Sequence, residues 1–397
     1  MNFGNKFNLF VLTGSHSVNS VYNRLLTPVL PLIVLDFGLT YAETGLIVSA
    51  YAAGNGLFQF PISFAADYTG RRRSVLVFSL LMNSLPVLFI GFADTYALLL
   101  FLVFLSGIGS SAYHPAAVAL VAREVPGQRG FSLGLFKAGG DLGSVFTPVI
   151  VAWLAVALSS WRMAAQWFVL PGVLWALLIW LRFRDTPVSR GPLRQAAKST
   201  FGELIRNRSL TLLLLLSSCR VMCLRGMIAF VPLLLAEQYG FNTVWVGWIL
   251  TVYFIFGTGS SILQGRISDR FKHTSFIVGM MIVGTLALAL LPLAFSVWML
   301  FPVLILLASS LGPSQGPILA VTTEIVGEKH HASSVGLLYT MNEVAGTISP
   351  FVGGLIAQVV GLQRSFFFFA AIGLIGTAAS VLVHRARERQ LTGSMGA

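Results

Sequence analysis

Charge is what this sequence has least of. Charged residues make up 10% of its 397 positions, against roughly 25% in a soluble domain. The bulk of the chain therefore has too little polar surface to face water. Cysteine is almost missing too: Cys219 and Cys223 are the two, four apart in one apolar segment. That excludes a disulfide framework, and no metal-ligand companions stand near them. No A-x-A site follows the first apolar run, which begins near Phe7 and continues past signal length, so it is expected to be a membrane span. The sequence also lacks a nucleophile–base set, a metal cluster and a phosphate-cradling loop. Neither an enzyme nor a cofactor or metal is expected.

What the chain does have is apolar length. Hydrophobic residues reach 56% and mean hydropathy +0.81. A membrane span needs about 20 mainly apolar residues, and twelve windows of that kind can be placed. The first six are 8–35, 42–66, 74–92, 95–122, 130–157 and 162–182. The second six are 209–236, 243–267, 274–294, 296–323, 332–360 and 364–384. The expectation is an all-α membrane protein, with 1–182 as a first six-helix bundle, 183–208 as a polar linker and 209–397 as a second bundle.

The second bundle reads as a copy of the first, shifted by 202 positions. Tyr51, Asp67, Pro115, Pro148 and Arg162 return as Tyr253, Asp269, Pro317, Pro350 and Arg364. Asp141 returns as Glu343, an acid for an acid. One gapless offset across more than half of each bundle argues for internal duplication.

Net charge is +12, but its placement argues against nucleic acid. Lys6, Arg71, Arg72, Arg73, Arg123, Arg129, the linker, Arg266, Arg270, Lys272, Lys329, Arg385, Arg387 and Arg389 all fall on one side of the twelve spans. Arg162 and Arg364 fall on the other. Cytoplasmic loops carry the excess of Lys and Arg, which puts both termini and the linker in the cytoplasm and explains the basic balance by topology and anionic lipid. No recognition motif for nucleic acid is present.

The loop after the second span reads Ser63-Phe-Ala-Ala-Asp67-Tyr-Thr-Gly70-Arg71-Arg72-Arg73. The loop after the eighth reads Gly265-Arg-Ile-Ser-Asp269-Arg270-Phe-Lys272. Both resemble the G-x-x-x-D-R-x-G-R-R/K signature of the major facilitator superfamily, in its two usual places. The first departs from it at Ser63 and Tyr68. The resemblance implies the twelve-helix major facilitator fold, with Asp67, Gly70, Arg71, Arg72, Asp269 and Arg270 as a cytoplasmic conformational latch. Trp161-Arg162 is a further feature of that superfamily. Thr13-Gly-Ser-His16, Gly109-Ser-Ser-Ala-Tyr113-His114-Pro115 and Gly139-Gly140-x-x-Gly143 resemble the fosmidomycin-resistance exporters, which are proton-coupled drug-efflux members. Lys137 and Asp141 stand where that group is expected to carry Gln and Asn. The match implies a bacterial inner-membrane protein.

Charges inside spans are costly and mark substrate or ion pathways. Here they are Arg24, Lys137, Asp141, Arg220, Arg225 and Glu343, with His16 and His114 able to titrate. Lys137 and Asp141, four apart, share a helix face, and the nearby cation favours the charged form of Asp141. Glu343 has Tyr339 and Thr347 in its own turn instead, and is the preferred proton carrier ahead of Asp141. Arg24 and Arg225 recur at nearly the repeat offset, each just ahead of a proline, and suit an anion because the guanidinium fork binds bidentately. The expected substrate set is Arg24, Arg225, Lys137, His114 and Tyr113, around a midplane site between the two bundles. The reading is proton-coupled efflux of a small anionic organic compound by a monomer in the lipid bilayer. Uptake or exchange of an organic anion is the alternative; a lipid flippase or membrane sensor is the reading from a different class.

Overall fold

The computed structural model describes residues 3–124, 129–185, 206–326 and 331–395. Among them every regular element is helical. In order they are α1 (Phe3–Arg24), a 3-10 turn Thr27–Val29, α2 (Leu30–Phe37), α3 (Tyr41–Thr69), α4 (Arg72–Ile90), α5 (Tyr96–Glu124), α6 (Arg129–Ala157), α7 (Trp161–Trp167) and α8 (Val169–Arg182). After the linker come α9 (Arg208–Glu237), α10 (Thr243–Arg270), α11 (His273–Leu290), a 3-10 turn Leu291–Leu293, α12 (Val297–Ser310), α13 (Gln315–Val326), α14 (His331–Val360) and α15 (Leu362–Met395). Eleven helical stretches among the described residues are long and apolar enough to cross a membrane, and α3 lies where the second expected span was placed. Most of the linker, 186–205, lies outside the described residues.

Apolar spans favour helix because lipid offers no partner to a free N–H or C=O, so each must be satisfied within the segment. Proline tests that rule by removing one donor. A single interior proline leaves the helix continuous, as at Pro115 in α5, Pro148 in α6 and Pro232 in α9. Two prolines three or four residues apart end it. The first span, expected as one piece over 8–35, stops at Arg24 and resumes at Leu30, with Pro28 and Pro31 between and just beyond. The tenth, expected over 296–323, stops at Ser310 and resumes at Gln315, with Pro313 and Pro317 at the break.

The chain folds as two compact units. One is Met1–Arg190 with Pro232–Val252; the other is Gly191–Val231 with Tyr253–Ala397. Within the first, α6 lies against α1 so closely that a Cβ on Gly143 would sit 2.2 Å from the Ser17 carbonyl oxygen. Ser17 Oγ donates to Gly139 O at 2.5 Å across the same seam. Asn83 Nδ2 donates to Asn19 Oδ1 at 3.0 Å, tying α4 to α1. The end of α9 and start of α10 join this unit, where Val149 N donates to Thr251 Oγ1 at 3.2 Å. Trp161 and Arg162 grip Asp36 at the end of α2: Trp161 Nε1 donates at 3.0 Å and Arg162 Nη2 lies 2.9 Å from its carboxylate.

Candidate functional site

In the second unit, Arg225 lies in the interior of α9 and Glu343 in the interior of α14. They meet as a bidentate pair: Nη1 donates to Oε2 at 2.8 Å and Nη2 to Oε1 at 2.6 Å. Glu343 keeps 13% of its side-chain surface exposed and Arg225 28%, so the pair is shielded but reachable. Gly346, one turn beyond Glu343, gives the guanidinium its seat, since a Cβ there would fall 2.5 Å from Arg225 Nη1. Hydrogen bonds on both sides fix the register of α9 on α14. Ser217 Oγ donates to Asn342 Oδ1 at 2.8 Å, and Ser349 Oγ donates to the Met222 carbonyl at 2.6 Å. Along its own helix Glu343 has no cation beside it, as its turn of Tyr339 and Thr347 implies; its cation comes from α9.

Arg220, one and a half turns before Arg225, is a different kind of arginine. It is 4% exposed, and among the described residues no carboxylate lies within ion-pair distance. Its Nη1 donates to Leu311 O at 2.8 Å and Gly312 O at 3.4 Å, and its Nη2 to Gln315 Oε1. The repeat offset singled out Arg225 but carried no sign that Arg220 would serve backbone carbonyls.

The first unit arranges its charges otherwise. Lys137 Nζ donates to Asp141 Oδ2 at 2.7 Å along α6, with 67% of the Lys side chain exposed. His16 of α1 stacks on Phe136 of α6 at 4.2 Å and meets His114 of α5 edge-on at 5.2 Å. Its Nδ1 lies 2.8 Å from the Phe136 carbonyl; a carbonyl can only accept, so Nδ1 carries a hydrogen. Its ring fits because Gly140 has no Cβ, which would stand 2.4 Å from it. His114 is exposed. Tyr113, expected in the substrate set, is 0% exposed and its hydroxyl meets Ser15 Oγ at 2.6 Å. It braces α5 against α1, with its hydroxyl engaged by Ser15. Arg24 is the last residue of α1, at the break in the first span, and is half-buried.

Of the expected latch, Gly70 takes φ +67° between α3 and α4, a conformation that favours glycine, and Arg71 is the residue just before α4. Arg72 opens α4. Asp269 and Arg270 end α10 and are exposed. Asp67 lies in α3, with its side chain outside the described residues. Next to Arg71 and Arg72, Arg73 meets Asp185: its backbone N–H donates to Oδ1 at 2.8 Å and its Nη2 lies 3.6 Å from Oδ2. On the second unit Arg387 pairs with Glu324 at 3.0 Å and Lys272 with Glu388 at 2.6 Å. These staples join residues far apart in sequence, and no local spacing announces them.

Long apolar helices with an ion pair in their interior fit a membrane carrier, in which charges within spans mark substrate or ion pathways. The family described as the Major Facilitator Superfamily matches residues 12–350 and 246–394. The chain belongs to that superfamily and is a transporter, not an enzyme. It is 27% identical over 383 residues to a probable sulfoacetate transporter, SauU, of Cupriavidus necator, covering 89% of this chain and 88% of that one. It is 21% identical over 366 residues to the fosmidomycin resistance protein of Escherichia coli, covering 91% and 89%. Its fold is similar to that of a bacterial homologue of the human lysosomal transporter Spinster, solved inward-facing and unoccupied, at TM-score 0.84, 20% identity and coverage of 97% and 98%.

Proposed function

We propose that the protein carries a small organic anion across the bacterial inner membrane by alternating access, coupled to protons through Glu343. The observation that carries this reading is the bidentate Arg225–Glu343 pair. A guanidinium fork that holds a carboxylate of the protein can hold a carboxylate, sulfonate or phosphonate of a substrate in the same geometry. Substrate and Glu343 then compete for one cation. A proton on Glu343 ends that competition, because the neutral acid releases the fork. The likeness to a probable sulfoacetate transporter supports an anionic substrate.

This competition fixes a sign. Protonation of Glu343 frees Arg225 for the anion, so proton and anion bind together and move together. That is symport, and with an inward proton gradient it means uptake. The efflux expected from the fosmidomycin-resistance resemblance needs antiport, in which proton and substrate exclude each other. The ion pair thus favours uptake of an organic anion, with efflux the second reading, supported by the likeness to the fosmidomycin resistance protein. Arg24 and the Lys137–Asp141 pair remain the candidates of the first half, with His114 beside them. The two six-helix halves, the cytoplasmic termini and the duplicated latch belong to the same proposal, as does a monomeric state.

The test is binding to purified protein across pH, using sulfoacetate, a sugar acid and a phosphonate as probes. Symport requires affinity to rise as pH falls, and Glu343→Gln to make it high and independent of pH. Affinity that falls with falling pH in the wild type would replace uptake with antiport. No binding of any anionic probe would remove the anion reading itself.

A further inference from the structure

The tenth span is broken, and its repeat partner is not. Pro313 has no N–H, so in a continuous helix the Ser309 carbonyl would be left without its donor. That carbonyl is instead taken by the Nε2 of Gln264, reaching across from α10. Gln315 and Gly316 start a new helix, so the carbonyls of Leu311 and Gly312 also lose their partners in the chain. Arg220 takes both, at 2.8 and 3.4 Å, and Ser314 Oγ adds a bond to Leu311 O at 2.9 Å. Pro317 costs nothing further, because it falls in the first turn of α13, where an N–H would have no helical acceptor. In a lipid environment unsatisfied carbonyls are expensive, and a cation at a helix C-terminus is favoured by the dipole.

These donors occur only with the second proline. At the repeat offset, Pro313 corresponds to Ser111, Pro317 to Pro115 and Gln264 to Ile62, and the positions matching Arg220 are Val18 and Asn19. Span four has one proline, no long donor at either matching place, and an unbroken α5. The second half has the extra proline, both donors and a break.

We propose that the break between α12 and α13 is a hinge, and that Arg220 and Gln264 are its positioning residues. They replace the hydrogen bonds that a continuous helix would make, with side chains that keep contact while α13 changes its angle to α12. Arg220 also stands on the same helix as Arg225. Movement of α13 therefore pulls on the element that presents Arg225 to Glu343. The inference rests on transport by conformational change and not on the identity of substrate or ion.

The experiment measures distances between spin labels placed at Trp298 on α12 and Ile325 on α13, in full-length protein in lipid nanodiscs, without substrate. The wild type is expected to give a broad or two-component distribution. Pro313→Ala restores the backbone donor and should narrow it to one long distance, and Gln264→Leu should be tolerated in the Pro313→Ala background but unfold the wild-type one. Arg220→Lys keeps the charge and loses the fork, and should shift the distribution while the protein still folds. A single narrow distance in the wild type, unchanged by Pro313→Ala and Arg220→Lys, would show that the break is a fixed kink and overturn the hinge.

Discussion

The two halves of this chain carry the same plan with its breaks exchanged. In the first half span one is interrupted and span four runs through; in the second, span seven runs through and span ten is interrupted. The difference follows the prolines. Pro28 with Pro31 breaks span one, whereas its partner span has Pro232 alone; Pro313 with Pro317 breaks span ten, whereas its partner has Pro115 alone. The charges part in the same way. Asp141 takes its cation from its own helix, and Glu343 takes its cation from another. A duplicated scaffold thus supports different work in each half, because one extra proline or one displaced cation changes which backbone groups and which carboxylates need outside partners.

The sharpest way to break the comparison is to give span four the second proline. Ser111→Pro would leave the Gly107 carbonyl without a donor, and no equivalent of Gln264 or Arg220 exists to replace it. A loss of about 3 kcal/mol or more is expected, read as a large fall in the unfolding temperature. A stable variant would mean that the donors opposite Pro313 are incidental.

Next in size are the two arginines of α9. Arg225→Ala strands a shielded carboxylate and should cost about 3 kcal/mol together with nearly all anion binding. Arg225→Lys should keep the fold but bind anions at least about tenfold more weakly, since an ammonium lacks the planar fork. Equal affinity in the Lys variant would exclude bidentate recognition.

Glu343→Gln should fold and exchange substrate in counterflow while losing accumulation driven by a pH gradient. Uphill transport with an unchanged pH profile would make Glu343 structural and move the search to Asp141 or His114. The smallest effect belongs to the first half's pair. Lys137 is largely exposed, so Lys137→Ala should change stability by no more than about 0.5 kcal/mol, measured by thermal unfolding. A loss several times larger would show that the two acids are held more alike than the geometry indicates.

The sequence alone determined the helical spans, the duplication, the one-sided basic loops and the cast of intramembrane charges. Each of these is a local property: twenty apolar residues in a row, a constant offset, a charge where lipid tolerates few. It also carried the two proline pairs but not their consequence for spans one and ten, because a proline in lipid is tolerated or not according to what stands opposite it. The tertiary structure decided the partners. It gave Arg225 to Glu343, 118 positions away, buried Tyr113 behind Ser15, and set Arg220 and Gln264 against the open end of α12. Which side chain meets which depends on how helices lie against one another, and that in turn depends on small residues such as Gly140 and Gly346, whose missing Cβ atoms leave room for His16 and Arg225. Spacing along one helix cannot report a contact made across two.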